Sequence, residues 1–361
     1  MSVTQQQIAD KLKISRSLVA RALRGHTEVA LSTRQQIEAA ALQLGYNEST
    51  NHNARQLATS RYGRRLKTNT LAVVFPSMGL SPRRMPFFAP LIEGMESAGE
   101  TLDLDICVCL MRAGKLPHLI QTRSVDGVIV LGEVAVHIDA IRNMGMPVVA
   151  FQSSSENAHS IARDDRKGIY QATKHLLDLG HQRIAFLGIK NEPTSVLRLE
   201  GYRDAMNEAG IIIHDEWIEN SLSLPVASSE SYCNGCNKCA ACLGWELLRN
   251  KNGGSGKSRP AFSAIVCHND LVAMGVIDHA QSDGFTTPRD LSITGFDDVS
   301  SQYHFQPEVT SIRFSRQEMG AGAVRLLHQA IEADNNAKLN HLIFPTELIV
   351  HQSTASPTMQ N

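Results

Sequence analysis

Four cysteines recur at a constant spacing of three residues in the run CNGCNKCAAC, as Cys233, Cys236, Cys239 and Cys242. Repeated Cys-x-x-Cys is a metal-ligand spacing, and a similar spacing binds iron–sulfur clusters in ferredoxin-like chains. Those chains usually interrupt the spacing and add a proline, which is absent here, and four thiolates along one helix cannot surround a single ion. Three interpretations remain open: a cysteine-rich helix start without metal, a metal or cluster site, and a thiol redox switch.

No other group of residues indicates catalysis, a metal or a cofactor. The GGSGKS segment at 253–258 lacks the first glycine of a phosphate-binding loop, because Lys251 stands at that position. Histidines are scattered, and no Ser/His/Asp or paired-carboxylate pattern is visible. Seven cysteines, an odd number, without an export signal do not predict a disulfide framework. We therefore predict that the protein is not an enzyme, and we assign it no metal and no cofactor.

The charges are distributed unevenly along the 361-residue chain. Residues 1–67 hold 11 basic and 4 acidic residues, whereas the rest holds 24 basic and 32 acidic residues. A basic segment on an acidic body is typical when one end binds a polyanion, and a solvated basic tail is the alternative. No apolar run approaches the ~20 residues that cross a bilayer, and the N-terminus lacks a secretory apolar stretch. We expect a cytoplasmic protein without a membrane partner.

The first sixty residues predict three short helices. Thr4 opens a capping-box pattern before the first helix, and Ser15 is an N-cap candidate for the second. Two short helices with a brief joint and a supporting third helix are typical of a helix-turn-helix module. The second helix would present Arg16, Ser17 and Arg21 to the major groove, where arginine contacts guanine or holds a phosphate. A three-helix bundle that binds protein is the alternative.

From residue 70 onward, short apolar runs alternate with amphipathic segments. Buried parallel strands are predicted at 71–75, 105–110, 127–131, 147–151, 183–188, 262–267 and 291–296. Segments between them, including 87–98 and 134–144, predict helices. Such βαβ repetition gives parallel sheets with ligand clefts at the carboxyl ends of the strands. Its length indicates two lobes rather than one sheet.

The run IADKLKISRSLVARALRGHTEVALSTRQQIEAAALQLGY resembles the N-terminal domain of transcription factors of the lactose/galactose-repressor (LacI/GalR) family. That family usually has a glycine in the first turn, where Lys13 stands here. In the family, a hinge helix forms on operator DNA and a leucine from each subunit enters the minor groove. The resemblance assigns Ala54, Arg55 and Leu57 to this hinge, with Leu57 as the inserted side chain. A plain linker is the alternative, because the segment is longer and lacks proline.

Further segments resemble the effector-binding core of the family, among them VDGVIV (125–130), DDRKG (164–168), HLLDLGHQRIAFLG (175–188), HNDLVAMG (268–275) and ITGFDD (293–298). That core is similar to periplasmic sugar-binding proteins, with two lobes crossed by three segments. The resemblance implies a homodimer that binds double-stranded operator DNA and a small polar, sugar-like effector. Arg198, Asn269 and Asp297 match residues that commonly hydrogen-bond the ligand, and Gln152 and Asp164 stand where strand ends face the cleft. A surface ion pair for Arg198 and a turn cap for Asp297 are the alternatives.

The sequence therefore predicts an all-α helix-turn-helix head and an α/β two-lobed, periplasmic-binding-protein-like effector domain with parallel sheets. The predicted boundaries are 1–58 for the head with its hinge, 59–69 for a linker, 70–352 for the effector-binding and dimerisation domain, and 353–361 for a tail. The predicted function is sequence-specific transcriptional regulation of the repressor type. The alternatives are a metal- or redox-sensing regulator that uses the four cysteines, and a solute-binding protein that does not bind DNA.

Overall fold

The structure is a computed structural model that describes residues 3–23, 29–44, 46, 67–76, 81–112, 114–152, 157–190, 193–222, 240–251, 261–333 and 338–358. The chain divides into two compact units, residues 1–68 and 69–361. The boundaries drawn above for head, hinge, linker, body and tail stay predictions, because residues 47–66 lie outside the described part.

Three helices form the N-terminal unit: α1 (Gln5–Leu12), α2 (Arg16–Leu23) and α3 (Leu31–Leu44). Thr4 makes the expected capping box with α1, and the Ser15 hydroxyl accepts a hydrogen bond at 3.2 Å from the backbone N–H three residues later. One apolar side chain from each helix, Ile8, Val19 and Ile37, is fully buried in a common core. The capping and spacing signals of the sequence therefore correspond to real helices.

Lys13 connects α1 to α2 in a left-handed conformation. Its φ is 53° and its ψ is 41°, and its backbone N–H closes the end of α1. An L-residue in this conformation costs roughly 1–2 kcal/mol because its Cβ approaches the following carbonyl oxygen. The turn is therefore of the kind that glycine favours, although a lysine makes it.

Replacing Lys13 by glycine should stabilise the N-terminal unit by about 1 kcal/mol, because glycine adopts this conformation without the steric cost. The measurement is amide hydrogen exchange of α1 and α2 in the full chain, where protection should rise about fivefold. Lys11→Gly is the matched control, because it places glycine inside α1 and should lower protection. Equal changes in the two variants would contradict the prediction.

A six-stranded sheet forms the first lobe of the larger unit, with strands in the order β11-β5-β4-β3-β1-β2. Its strands are β1 (Thr70–Phe75), β2 (Asp105–Leu110), β3 (Gly127–Leu131), β4 (Val148–Phe151), β5 (His159–Arg163) and β11 (His341–Phe344). Its helices are α4 (Ala89–Thr101), α5 (His118–Gln121), α6 (Ile138–Asn143) and α11 (Arg316–Glu332). Neighbouring strands are all parallel, so their carboxyl ends lie at one edge.

A four-stranded parallel sheet forms the second lobe, in the order β7-β6-β8-β9. Its strands are β6 (Ile184–Ile189), β7 (Ile218–Leu222), β8 (Ala264–Cys267) and β9 (Ser292–Thr294). Its helices are α7 (Asp165–Asp178), α8 (Pro193–Glu208), α9 (Ala240–Lys251) and α10 (Asp270–Ser282). Within the described residues, no helix has the length and apolar character needed to cross a membrane.

Three chain segments connect the two lobes, as the sequence predicts. They follow β5, β9 and β11. Two of them pair as an antiparallel ribbon of β10 (Ser311–Arg313) and β12 (Glu347–Ile349). These crossings bring the residues that follow β5 of the first sheet close to those that follow β9 of the second.

The four-cysteine run falls almost entirely outside the described residues. Only the backbone of Cys242 is described, in α9. In the part of the chain that the structure describes, no group of three His, Cys, Asp or Glu side chains could hold a metal. The three interpretations of the run therefore stay open. Independently of the thiols, α9 is anchored by Trp245, which is fully buried and donates from its indole N–H to Asp283 at 2.7 Å.

Changing all four cysteines of the run to serine should leave the melting temperature and the oligomeric state nearly unchanged, because a lobe with its own apolar core needs no metal to fold. Trp245→Ala is the contrasting variant, and loss of this core side chain should cost about 3–5 kcal/mol. Both are measured by thermal unfolding. Metal analysis of protein purified without air and chelator completes the test, and stoichiometric zinc or iron that is lost in the four-serine variant would overturn the metal-free interpretation.

Candidate functional site

The start of α2 exposes side chains that can contact DNA. Arg16 and Ser17 lie in its first turn and Arg21 lies one turn later, and all three side chains are exposed. An α-helix fits the major groove, and arginine can make a bidentate contact with guanine there. The helix start is fixed by the Ser15 cap, so these side chains project from a defined backbone. The predicted hinge residues Ala54, Arg55 and Leu57 lie outside the described residues.

The carboxyl ends of the two sheets meet at a cluster of charged side chains. Arg163 ends β5 of the first sheet, and its Nη1 lies 3.6 Å from Oδ1 of Asp297, which follows β9 of the second sheet. Oδ1 of Asp165 lies 3.1 Å from Nε of Arg163 and 2.7 Å from Nε of Arg198. Arg198 also donates to the backbone carbonyl of His268, just after β8. This edge is where α/β sheets bind ligands.

Burial and the neighbouring charges together shift the pKa values in this polar cluster, which consists of Arg163, Asp165, Arg198 and Asp297. Burial alone would raise the pKa of Asp165, but the adjacent Arg163 and Arg198 outweigh it and hold that pKa below its usual value. Burial raises the pKa of Asp297, and the arginines offset this only in part. Burial also lowers the pKa of Arg198, which is 0% exposed. Asp165 is therefore held ionised by its ion pairs, whereas the arginines offset only part of the cost of burying the Asp297 carboxylate.

Phenylalanine rings surround the two arginines. The guanidinium carbon of Arg163 lies 4.8 Å from the ring centroid of Phe314 and 5.0 Å from that of Phe296. The guanidinium carbon of Arg198 lies 4.0 Å from the Phe296 centroid. Cation–π attraction strengthens when the cation is desolvated. The rings therefore help to stabilise two buried positive charges and restrict their positions.

The other predicted effector residues have distinct environments. Asp164 and Asn269 are N-caps, and each accepts a hydrogen bond at 3.0 Å from the backbone N–H three residues later. Gln152 follows β4 with a φ of 57°, and Asp297 has a φ of 99°. The buried Nε2 of Gln152 has no hydrogen-bond partner among the described residues, and Oδ1 of Asp297 makes no hydrogen bond there but lies 3.6 Å from Nη1 of Arg163. Left-handed backbone and unpaired buried polar atoms are features that cluster at ligand sites.

Several side chains of this site were not found from the sequence. The sequence indicates Asp164 and not Asp165, although both belong to the DDRKG run. The contact between Ser195 and His268 had no sequence signal, because the two residues are distant along the chain, and the contact of Arg163 with Asp297 spans more than a hundred residues. Ser195 Oγ lies 3.0 Å from His268 Nδ1 across 73 residues. Burial and the nearby arginines lower the pKa of His268 well below its ordinary value, so this ring is neutral.

The fold and the polar cluster define a two-lobed small-molecule receptor joined to a helix-turn-helix unit. A family model described as "Periplasmic binding protein-like domain" matches residues 173–354, and another, "Periplasmic binding proteins and sugar binding domain of LacI family", matches 68–224. The chain belongs to the LacI/GalR family of transcriptional regulators.

Individual relatives agree with this assignment. The HTH-type transcriptional repressor CytR of Escherichia coli (strain K12) is 27% identical over 98% of this chain and 96% of that protein. The lac repressor dimer bound to operator and the anti-inducer ONPF has a TM-score of 0.71 and 20% identity, over 98% of this chain and 100% of that one. A LacI family regulator from Enterococcus faecium with bound ribose has a TM-score of 0.61 and 25% identity, over 80% and 100%. The chain is thus a transcriptional regulator and not an enzyme.

Proposed function

We propose that this regulator is a repressor that binds operator DNA as a homodimer and is controlled by a small polar effector held between its two lobes. The observation that carries the effector site is the polar cluster, which joins the carboxyl ends of both sheets. Gln152, at the end of the adjacent β4, adds a buried Nε2 that has no hydrogen-bond partner among the described residues. Support for repression comes from the relative named as a repressor, CytR.

On the DNA side, the proposal assigns base reading to Arg16 and Ser17, and a base or phosphate contact to Arg21. Thr4 and Ser15 would contribute hydroxyls near the phosphates while they cap their helices. Two such units in a homodimer would read two half-sites of a symmetric operator. The hinge assignment belongs to the same proposal, in which Ala54 and Arg55 follow the minor groove and Leu57 inserts between base steps.

On the effector side, Asp297 supplies an acceptor, and the amide groups of Gln152 and Asn269 supply donors. Such a set suits the neighbouring hydroxyl groups of a sugar-like molecule, and the ribose bound to the Enterococcus faecium regulator supports this class. Asp164 lies at the same edge as the cap of α7. Arg198 and Asp165 form a buried ion pair in the same polar cluster.

Because the effector contacts groups from both lobes, its binding changes the free-energy difference between lobe arrangements. Coupling free energies between two sites are typically 1–3 kcal/mol, which corresponds to about 5- to 150-fold in affinity. DNA binding depends on many phosphate contacts at once, so a small change in the spacing of two DNA-binding units has a large effect on operator affinity.

The test begins with a thermal-shift screen of sugars, sugar phosphates, nucleobases and nucleosides. For the compound that stabilises the protein, calorimetry should show that Gln152→Ala and Asp297→Asn each weaken binding by ~1–3 kcal/mol, since each leaves a polar group unpaired. Gln281→Ala and Asp215→Asn, both at exposed positions of the second lobe, are the matched controls. Unchanged affinity in both site variants would place the effector elsewhere.

A further inference from the structure

A cavity lies at the edge of the first sheet that is opposite the polar cluster. It has a volume of about 540 Å³, and its described lining comes from α6, from the starts of β4 and β5, and from Leu339 before β11. His159 begins β5 and Arg163 ends it, so the cavity and the polar cluster are separated by the length of that strand, roughly 13 Å. The volume falls in the range of small-molecule sites. This cavity is therefore distinct from the effector site proposed above.

His159 presents a defined hydrogen-bond donor in this cavity. Its Nδ1 accepts a hydrogen bond at 3.1 Å from the backbone N–H of Asn340. Burial, His341 and Arg142 lower the pKa of the His159 imidazole, which favours the neutral ring. A neutral ring that accepts at Nδ1 carries its proton at Nε2. The ring therefore has a single remaining polar group, and that group is a donor.

The neighbouring end of α6 adds a guanidinium and an amide group to the lining. The guanidinium of Arg142 and the side-chain amide of Asn143 line the cavity, and neither side chain makes a hydrogen bond or ion pair with any described residue. The acidic group in the lining, Asp139, already accepts a hydrogen bond at 3.2 Å from the amide of Asn157. The guanidinium of Arg142 is therefore a positively charged group of the lining without a partner among the described residues, while Asp139 remains a carboxylate and the Asn143 amide offers both a donor and an acceptor.

The rest of the described lining is apolar. Met146, Val148 and Leu339 supply hydrocarbon surface beside these donors. An apolar wall with a few convergent polar groups is the usual composition of a pocket for an organic ligand. A guanidinium with adjacent N–H donors favours carboxylate or phosphate oxygens over neutral groups.

We propose that this cavity is a second ligand site, which binds a small organic anion: a carboxylate or phosphate monoester on an apolar body. Arg142 and the Nε2–H of His159 hold the anionic group, and the apolar wall holds the body. The site lies at the edge of the sheet where β1 begins at Thr70. It would give the regulator a second small-molecule input, independent of the polar cluster.

Ligand-observed NMR on the full chain tests this site with benzoate, phenyl phosphate and the neutral analogue benzyl alcohol. We expect saturable binding of an anion with a Kd on the order of 1 mM, as is usual for ligands of this size. Arg142→Gln should weaken it about tenfold because a charge-assisted hydrogen bond is lost. His159→Asn should weaken it similarly, since the asparagine oxygen retains an acceptor for Asn340 but removes the Nε2 donor. Arg112→Gln, at the other edge of the sheet, is the control and should bind normally.

Binding of both anions, or of one alone, together with loss in the two cavity variants supports the site, and the preferred anion identifies the headgroup. The proposal is overturned if neither anion binds, if benzyl alcohol binds equally well, or if Arg142→Gln and His159→Asn bind like the unmodified protein. Gln152→Ala separates this site from the effector cleft. Benzoate and phenyl phosphate should bind this variant as they bind the unmodified protein.

Discussion

A chain that lacks residues 1–68 should lose specific DNA binding altogether and keep a folded, dimeric body. The removed part contains α1 to α3 and 11 of the 35 basic residues. Loss of these contacts removes both the base-reading side chains and the phosphate neutralisation that dominates affinity for DNA. The measurement is a retardation assay with operator DNA at several salt concentrations, accompanied by calorimetric unfolding of the truncated protein. Retention of operator binding by this variant would show that the N-terminal unit is not the DNA-binding element.

Within the intact protein, Arg16→Ala refines the same prediction. It should reduce the discrimination between operator and mutated operator by ~1–3 kcal/mol, because one bidentate base contact is lost. Affinity for non-specific DNA should fall much less. A specificity ratio that does not change in a competition titration would assign Arg16 to the phosphates.

Arg198→Met should destabilise the body by about 3 kcal/mol or more. Arg198 is fully buried, and its removal leaves Asp165 with one guanidinium instead of two and the His268 carbonyl without its donor. Urea unfolding followed by circular dichroism measures the effect. The control is Arg166→Met, which removes an arginine that pairs with Asp204 on the surface and should leave the midpoint nearly unchanged.

A midpoint for Arg198→Met that equals that of Arg166→Met would show that the buried ion pairs are not structural. The pH dependence gives a second readout. Because the pKa of Asp165 is depressed in the folded state, its contribution is present above its unfolded value of about 4 and is lost as the pH falls below it. The unmodified protein should therefore lose stability in acid more steeply than Arg198→Met does.

This buried role also determines which variants report on the effector. A loss of response in an Arg198 variant would combine destabilisation with loss of ligand contacts. Gln152→Ala is cleaner, because the buried Nε2 that it removes makes no hydrogen bond in the described structure. Asp297→Asn also removes a negative charge that lies 3.6 Å from Arg163, so its unfolding is measured beside its ligand binding. The effect of Gln152→Ala on folding should be small compared with its effect on ligand binding.

Local signals were sufficient for the head and for the central strands. The Thr4 and Ser15 caps form as their spacing indicates, and the apolar runs become β1 to β4, β6, β8 and β9. The strands that escaped prediction are edge strands, short, or polar in composition. β7 reads IENSL, β12 has three residues, and β11 is a largely exposed edge strand. Such segments form strands because an adjacent strand pairs with them, and that pairing depends on the tertiary fold rather than on the local sequence.

The site was predictable only in part, for a related reason. The family resemblance selected Arg198 and Asp297, and the structure places both in the polar cluster. It could not select Arg163 or Asp165, whose roles depend on contacts across the two lobes. The cap role of Asp164 follows from its position before α7, and only the fold shows that the adjacent carboxylate turns towards the arginines.

Operator affinity, measured with and without the effector found by the thermal-shift screen, shows whether the cleft between the lobes controls DNA binding. The unmodified chain should change its operator affinity by tenfold or more on saturation. Gln152→Ala and Asp297→Asn should bind the operator normally in the absence of the compound and respond only at much higher concentrations. If the two substitutions weaken binding of the compound, and saturation with the compound nevertheless leaves the operator affinity of the unmodified chain unchanged, the cleft does not control DNA binding.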